Sequence, residues 1–306
     1  MKIVYMGTPL FAVAPLKRLT EDKTAEVVAV VTNRDKPVGR KKVLTAPPVK
    51  VYAQENGIPV FQYDKIRAEG LDDLKKLKPD MIITCAFGQI LSQEIIDVPT
   101  YGVYNIHASL LPKYRGASPI QYAILNGEAE TGITIMKTDV GIDTGDIVLQ
   151  KKLPIEACDT ANELSEKLSE LGADCIEEFI KLFSENKVAF KKQDDTLASY
   201  CKMIKKEDAL IDWNDTAENV VNKIRAFNPA PVCYTFYNGE MLKVFSAKVV
   251  SISGQAGKVL ECNRTLIIGC GENAVEILSV QKAGGKQMPI SAFLLGNKID
   301  ADLFGK

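Results

Sequence analysis

The chain has 306 residues, 46% hydrophobic and 25% charged, which is the balance of an ordinary globular protein of about two domains. Its formal net charge of −1 excludes a surface that attracts nucleic acid or anionic membrane as a whole, so any polyanion site must be a local patch. Seven scattered cysteines without a C-x-x-C pair, beside a single histidine, predict no metal site and reduced thiols in a cytoplasmic protein.

Residues 2–6, KIVYM, read as a buried strand rather than a signal peptide. Gly7-Thr-Pro then turns into a helix through about Leu19, with Thr8 as N-cap and Pro9 at the first helical position. Residues 26–32, EVVAVVT, give a second strand, and this β-α-β start predicts a parallel sheet. No G-x-G-x-x-G follows the first strand, which argues against a nicotinamide-dependent oxidoreductase despite the architecture. The stretch from Asn33 to Lys50 carries Arg34, Lys36, Arg40, Lys41, Lys42 and Lys50 against one acid. Its three prolines and Gly39 argue against a helix or a central strand, and its charge suits an arm laid on phosphates. A helix over 49–56, a short strand at 58–61 and an amphipathic helix over 66–78 follow. Residues 80–87 form another buried strand, and the turn Phe87-Gly88-Gln-Ile90-Leu91 stands at its carboxyl end, where open parallel sheets bind ligands. No apolar run approaches the ~20 residues of a membrane span.

Residues 102–119, GVYNIHASLLPKYRGASP, hold the single histidine, His107, with Asn105 two positions before it. In a strand over 103–108 these two side chains share a face. A helix over 118–126 follows. Strands at 133–138 and 146–150 flank an Asp/Gly loop that offers Asp139, Asp143 and Asp146. Any of the three carboxylates could reach back to the imidazole. Asparagine, histidine and aspartate converging give a proton-transfer set with a built-in oxyanion donor. After a long helix over about 160–183, a lysine-rich stretch reads as an interdomain linker. A helix over 215–227 capped by Asp215 or Thr216 follows. Short runs at 233–238, 242–250, 257–261, 264–269 and 274–281 then have the spacing of a small OB-type barrel. The expected fold is therefore α/β: a Rossmann-like parallel-sheet domain over 1–188, a linker over 189–206 and an OB-like β-barrel over 207–306.

The run N-x-H-x-S-L-L-P-x-x-x-G from Asn105 to Gly116, followed by D-x-G-x-D-T-G-D from Asp139 to Asp146, resembles the folate-dependent formyltransferase family. The opening G-T-P-x-F-A, Lys36-Pro-Val-Gly-Arg40, Ile211-Asp-Trp213 and Ile224 to Pro231 are similar to the branch of that family acting on aminoacylated tRNA. Leu10 stands where the resemblance leads one to expect an acidic residue. The resemblance implies transfer of a formyl group from 10-formyltetrahydrofolate to the α-amine of initiator methionyl-tRNA, by a monomer that uses no metal. It implies Asn105, His107 and Asp143 as the catalytic trio, with Asp143 chosen from the three carboxylates by the resemblance alone. Ser109, Leu110, Leu111 and Pro112 match the folate segment, and Phe87, Gly88, Ile90 and Leu91 are expected to border it. Arg34, Lys36, Arg40, Lys41 and Lys42 match a tRNA-binding insertion, and the barrel an auxiliary tRNA-binding domain. A formyl-folate enzyme acting on a small amine, or a non-catalytic RNA-binding protein, would use only part of this set.

Overall fold

The computed structural model describes residues 1–39, 41–297, 299 and 303–305. The chain divides into two units, one of Met1–Pro119, Glu130–Pro154 and Ser165–Cys201, the other of Ile120–Ala129, Ile155–Leu164 and Lys202–Lys306.

The first unit carries, in chain order, strands β1 (Lys2–Gly7), β2 (Glu26–Thr32), β3 (Lys36–Val38), β4 (Val43–Thr45), β5 (Val60–Gln62), β6 (Met81–Cys85), β7 (Val103–His107), β8 (Arg115–Gly116), β9 (Glu130–Lys137), β10 (Ile147–Pro154) and β11 (Tyr200–Cys201). Seven of them form one sheet in the order β10-β9-β7-β6-β1-β2-β5. The five strands from β7 to β5 are parallel, as the β-α-β start predicts. β9 and β10 are antiparallel additions at one edge. They are joined by the short Asp/Gly loop, which can reverse the chain but is too short for the crossover that parallel neighbours require. The central strands read as near-continuous apolar runs because both faces are covered. Ile3, Val4, Tyr5, Met6, Ile82 and Ile83 are fully buried, so truncating one of the isoleucines to alanine costs about 2–5 kcal/mol. Helix Ala161–Ser184 covers one face, and its Phe179 ring stands 4.7 Å from that of Tyr104 on β7.

Strand order reverses at β1. From it the chain moves to β2 and β5 on one side, then to β6 and β7 on the other. The crevice beyond the carboxyl ends at such a reversal is where this architecture takes ligands. Thr8 does not cap a helix there. A short turn over Leu10–Ala12 follows Pro9, and helix Val13–Glu21 starts later. The Thr8 hydroxyl instead donates to the Phe87 carbonyl (3.1 Å) and accepts from the Asn33 amide (3.4 Å), tying the ends of β1, β2 and β6 together. The expected helix over 66–78 is divided at Gly70 into Ile66–Glu69 and Leu71–Leu77.

The basic stretch is neither helix nor central strand but a two-stranded ribbon, β3 paired antiparallel with β4. Pro37 has no N–H to donate, and an isolated ribbon leaves it an edge position. Residues 189–201 of the expected linker belong to the first unit: β11 pairs with β8, and Lys191 exchanges backbone hydrogen bonds with Ile147.

In the second unit, Thr216 caps helix Ala217–Ala226 by accepting from the Asn219 amide. Strands β12 (Cys233–Tyr237), β13 (Glu240–Val250), β14 (Val259–Cys262), β15 (Leu266–Gly269), β16 (Ala274–Lys282) and β17 (Met288–Pro289) pair antiparallel in the order β12-β13-β16-β15-β14, with β17 on β16. The Phe304 amide donates to the Gly257 carbonyl and the Gly305 amide to Phe236. These residues thus reach from the start of the β14 edge to the β12 edge, as a barrel-like sheet needs. The buried Trp213 ring donates from Nε1 to Thr235 Oγ1 at 3.0 Å. β17 and the following helix Ile290–Gly296 were not anticipated from the sequence.

Candidate active site

His107 is the last residue of β7 and Asn105 lies two before it, so both project from one face. The imidazole is 5% exposed, hydrogen-bonded at Nε2 and faced by a carboxylate oxygen at Nδ1. Nε2 lies 2.9 Å from the Tyr114 carbonyl, which can only accept, so Nε2 carries a proton. Nδ1 lies 3.7 Å from Asp143 Oδ2. The Asn105 amide is oriented by two neighbours. Thr84 Oγ1 donates to its Oδ1 at 2.9 Å, and its Nδ2 points at Asp143 Oδ1 at 3.5 Å. A carboxylate cannot donate, which fixes the nitrogen of the amide on the Asp143 side.

Of the three carboxylates that spacing left open, only Asp143 meets the other two side chains. Asp139 holds its own loop, accepting from the Gly141 amide (3.0 Å) and the Thr144 hydroxyl (2.7 Å). The Asp146 carbonyl accepts from the Lys137 amide and so closes the base of that loop. Asp143 adopts a left-handed backbone (φ +52°) and accepts the Gly116 amide at Oδ2, 2.8 Å away. Gly116 is needed there, since its φ is +119° and an added Cβ would stand 2.3 Å from the Cys201 carbonyl. Burial pushes the Cys201 thiol up, with the nearby Asp143 charge adding to it, so this thiol is no nucleophile.

The turn after His107 is held from below. Thr134 Oγ1 donates to the Ser109 carbonyl and accepts the Leu111 amide, while Gln150 Nε2 donates to the Leu111 carbonyl. Ser109 is fully buried, with its hydroxyl on the Lys113 carbonyl. Leu111 packs with Met136 and Ile147, and Phe87 sits in the core among Met6, Val31 and Ile82. Ser109, Leu111 and Phe87 are thus buried, while Leu110, Pro112 and Leu91 are half-buried and Gly88 and Ile90 are exposed. Gln89 fixes the second turn, donating to Asn33 Oδ1 and the Tyr63 carbonyl and accepting the Ile66 amide.

The basic ribbon divides. Arg34 is engaged by Asp64 (3.2 Å) and Glu69 (3.5 Å), and Lys50 by Asp35 (2.8 Å), an ion pair that also holds the Asp35 carboxyl below the usual carboxylate range. Lys36, Lys41 and Lys42 are exposed, beside the exposed apolar side chains of Val38, Val43 and Leu44. Arg40 lies outside the described residues.

A family model described as formyl transferase matches residues 1–180, and a second, described as formyl transferase, C-terminal domain, matches 203–298. The chain belongs to the formyltransferase family. A methionyl-tRNA formyltransferase of Caldanaerobacter subterraneus subsp. tengcongensis is 47% identical over 98% of this chain and 98% of its own. The N-formyltransferase of Helicobacter canadensis, solved with folinic acid and dTDP-3-aminofucose, superposes with a TM-score of 0.71 at 25% identity, over 92% of this chain and 99% of its own. HypX from Aquifex aeolicus, solved with tetrahydrofolic acid, superposes with a TM-score of 0.63 at 20% identity over 97% of this chain. This chain spans about half of that protein (47%), so there the likeness speaks for the fold alone.

Several residues that support this candidate site are not legible in the sequence. Thr84 orients Asn105, the Tyr114 carbonyl holds the imidazole, and Ser199 accepts the Tyr114 amide at 2.9 Å. Thr84 faces Asn105 in the β6–β7 register, a pairing that strand order would have exposed. Ser199 lies 85 residues from Tyr114, and no local pattern announces that contact. Among the described residues no cluster of three His, Cys, Asp or Glu side chains is arranged to hold a metal ion, and no helix is long and apolar enough to cross a membrane.

Proposed function

We propose that this enzyme transfers the formyl group of 10-formyltetrahydrofolate to the α-amine of initiator methionyl-tRNA, the modification that prepares the tRNA for translation initiation. The observation that carries the reading is the convergence of Asn105, His107 and Asp143 at the carboxyl end of β7, on the same sheet edge as the carboxyl ends of β6 and β1. The donor is a substrate whose rings present flat apolar faces as well as polar edges. The turn after β6 offers it Ile90, 74% exposed, and half-buried Leu91, and the turn after β7 offers half-buried Leu110 and Pro112.

Each residue then has a role set by its surroundings. A bond forms between the amine nitrogen and the formyl carbon, the bond from that carbon to N10 breaks, and the proton lost by the amine passes to N10. Asn105 Nδ2, held on the Asp143 side, donates to the developing oxyanion, a role whose loss typically costs ~10²–10³-fold in turnover. His107 keeps its Nε2 proton on the Tyr114 carbonyl, which leaves Nδ1 and the facing Asp143 carboxylate to take up and return the travelling proton. Asp143 also holds the imidazole in orientation.

The exposed lysines of the ribbon, Lys36, Lys41 and Lys42, together with Arg40, supply charge for the acceptor arm of the tRNA. In this reading residues 1–188 carry the chemistry with 189–201 packed onto the same unit, residues 202–206 of the expected linker connect, and the C-terminal sheet adds a second tRNA contact. The enzyme acts as a cytoplasmic monomer.

The test is transfer of labelled formyl from 10-formyltetrahydrofolate to methionyl-tRNA, with His107→Ala as control. Transfer by the wild type and near-loss in the variant support the assignment. Formylation of a nucleotide-linked amino sugar with the tRNA left unmodified would overturn the acceptor and keep the site.

A further inference from the structure

The Asp143 carboxylate is aimed from two sides, and the Gly116 amide on its Oδ2 is one of them. On the other side, Gln193 places its Nε2 2.8 Å from the Asp143 carbonyl and 2.8 Å from the Gly145 carbonyl. Each amide hydrogen has its own carbonyl, and the two carbonyls straddle the residues after the left-handed Asp143. A side-chain amide can turn around, so its direction needs a cause. That cause is Arg115. Its guanidinium is 1% exposed and meets Gln193 Oε1 from both Nε (3.0 Å) and Nη2 (2.8 Å). Arginine can only donate, so Oε1 must face it and both N–H groups must face the loop. Asp195 and Tyr200 hold the guanidinium in place at 2.7 and 3.5 Å.

The backbone of the same residues closes the circuit. The Tyr114 carbonyl holds His107, and the Gly116 amide holds Asp143 Oδ2. Residue 115 therefore links the catalytic pair directly through its neighbours and indirectly through its side chain. Asp195 and Tyr200 hold the guanidinium from the exposed side, Arg115 itself is buried, and all of these residues belong to the first unit.

We propose that Gln193, oriented by Arg115, is a positioning residue for the Asp143 carboxylate, acting through the backbone of the 143–145 turn. The proposal rests on the catalytic reading of Asn105, His107 and Asp143 given above. It moves part of the expected linker into the machinery of the site. Gln193 touches no reacting atom. Without it, the turn loses the two contacts that hold Asp143 in its left-handed conformation, and the carboxylate drifts from His107 and Asn105.

The test uses the full-length chain with Gln193→Ala, Gln193→Glu, Asp143→Asn and the corresponding double variants. Gln193→Glu keeps an oxygen for Arg115 but sets a second oxygen against two carbonyl oxygens, so it breaks the clamp while leaving the Arg115 pairing. We expect kcat to fall by about 10–100-fold in either Gln193 variant, the scale of a displacement near 1 Å, with KM for both substrates within about 3-fold of wild type. In the Asp143→Asn background the same changes cost less than about 2-fold, because groups acting through one residue do not add. The lone imidazole supplies a readout that needs no turnover. In ¹⁵N-histidine-labelled protein the ring signals of His107 move in both Gln193 variants and stay in place in Thr216→Ala, a helix-cap change in the second unit.

Equal fold-losses in the two backgrounds, or unmoved His107 signals in both Gln193 variants, overturn the proposal. A wild type that leaves methionyl-tRNA unmodified refutes the acceptor instead, and the His107 spectra then still decide the role of Gln193.

Discussion

Gly116→Ala tests whether the site depends on backbone contacts that no side chain advertises. An added Cβ would stand 2.3 Å from the Cys201 carbonyl. Ordinary contact begins near ~3.5 Å, so β8 and β11 must part by about 1 Å. The φ of +119° adds backbone strain of order 1–3 kcal/mol. The residue that moves is the one whose amide holds Asp143 Oδ2 at 2.8 Å, so the displacement passes straight to the carboxylate. A shift of that size in a catalytic group costs up to about 10²-fold in turnover. Steady-state formyl transfer under saturating folate and tRNA gives kcat, and thermal unfolding shows how much of the protein remains native. We expect a kcat loss of tens-fold to 10²-fold in a protein still folded at the assay temperature. A folded Gly116→Ala enzyme with wild-type kcat would show that Asp143 does not need this amide, and the argument for its placement would fail.

The remaining predictions address the chemistry, the ribbon and the thiols. Asn105→Ala lowers kcat by about 10²–10³-fold while the fold is retained, since the oxyanion donor is lost together with its contacts to Thr84 and Asp143; wild-type turnover in a folded variant would remove Asn105 from the mechanism. Asp143→Ala likewise lowers turnover with folding intact, whereas Asp139→Ala acts on loop stability, because its carboxylate serves Gly141 and Thr144; comparing kcat with unfolding temperature separates the two. Lys41→Ala weakens tRNA use without changing folate KM, and lowers the salt slope of tRNA affinity by about 1 if that lysine meets a phosphate; a loss independent of salt would place its effect elsewhere. Burial pushes the thiols of Cys85, Cys175, Cys233 and Cys270 up to about 12. Their thiolate fraction at pH 8 is therefore on the order of 10⁻⁴ and rises with pH, so alkylation of the native protein should reach exposed Cys158 first; rapid labelling of Cys85 by peptide mass analysis would contradict the packing.

Much of the fold was legible because its signals are local. The run EVVAVVT is a strand at the expected residues, and the five short runs between 233 and 281 are antiparallel strands near their expected bounds. Errors fall where a tertiary contact outcompetes a local preference. Thr8 has the chemistry of a helix cap, but the Phe87 carbonyl and Asn33 amide across the sheet take its hydroxyl first. The helix over 66–78 has a continuous apolar face, yet Gly70 interrupts it against Ile66 and Tyr63. The antiparallel edge strands could have been expected from the length of the Asp/Gly loop alone, which leaves no room for a crossover.

The site divides along a different line. Asn105 and His107 were legible together because a strand converts a spacing of two into a shared face. Asp143 was not, since a loop has no such rule and three carboxylates lay within reach. What chooses among them is backbone: the Gly116 amide below the carboxylate, the Gln193 amide behind its own carbonyl, and a left-handed φ between them. Gln193 sits 50 residues further on, in a stretch whose lysines suggest nothing more than a solvated connection. Its partner Arg115 lies inside the most informative motif of the chain and still reveals nothing by type, because a buried arginine and an exposed one are written with the same letter. Side chains that meet substrate are thus found by the chemistry they can do, and those that aim them only by the polar groups they satisfy. A hydrogen-bond census of the Asp143 loop therefore identifies positioning residues that composition, periodicity and motif spacing all pass over.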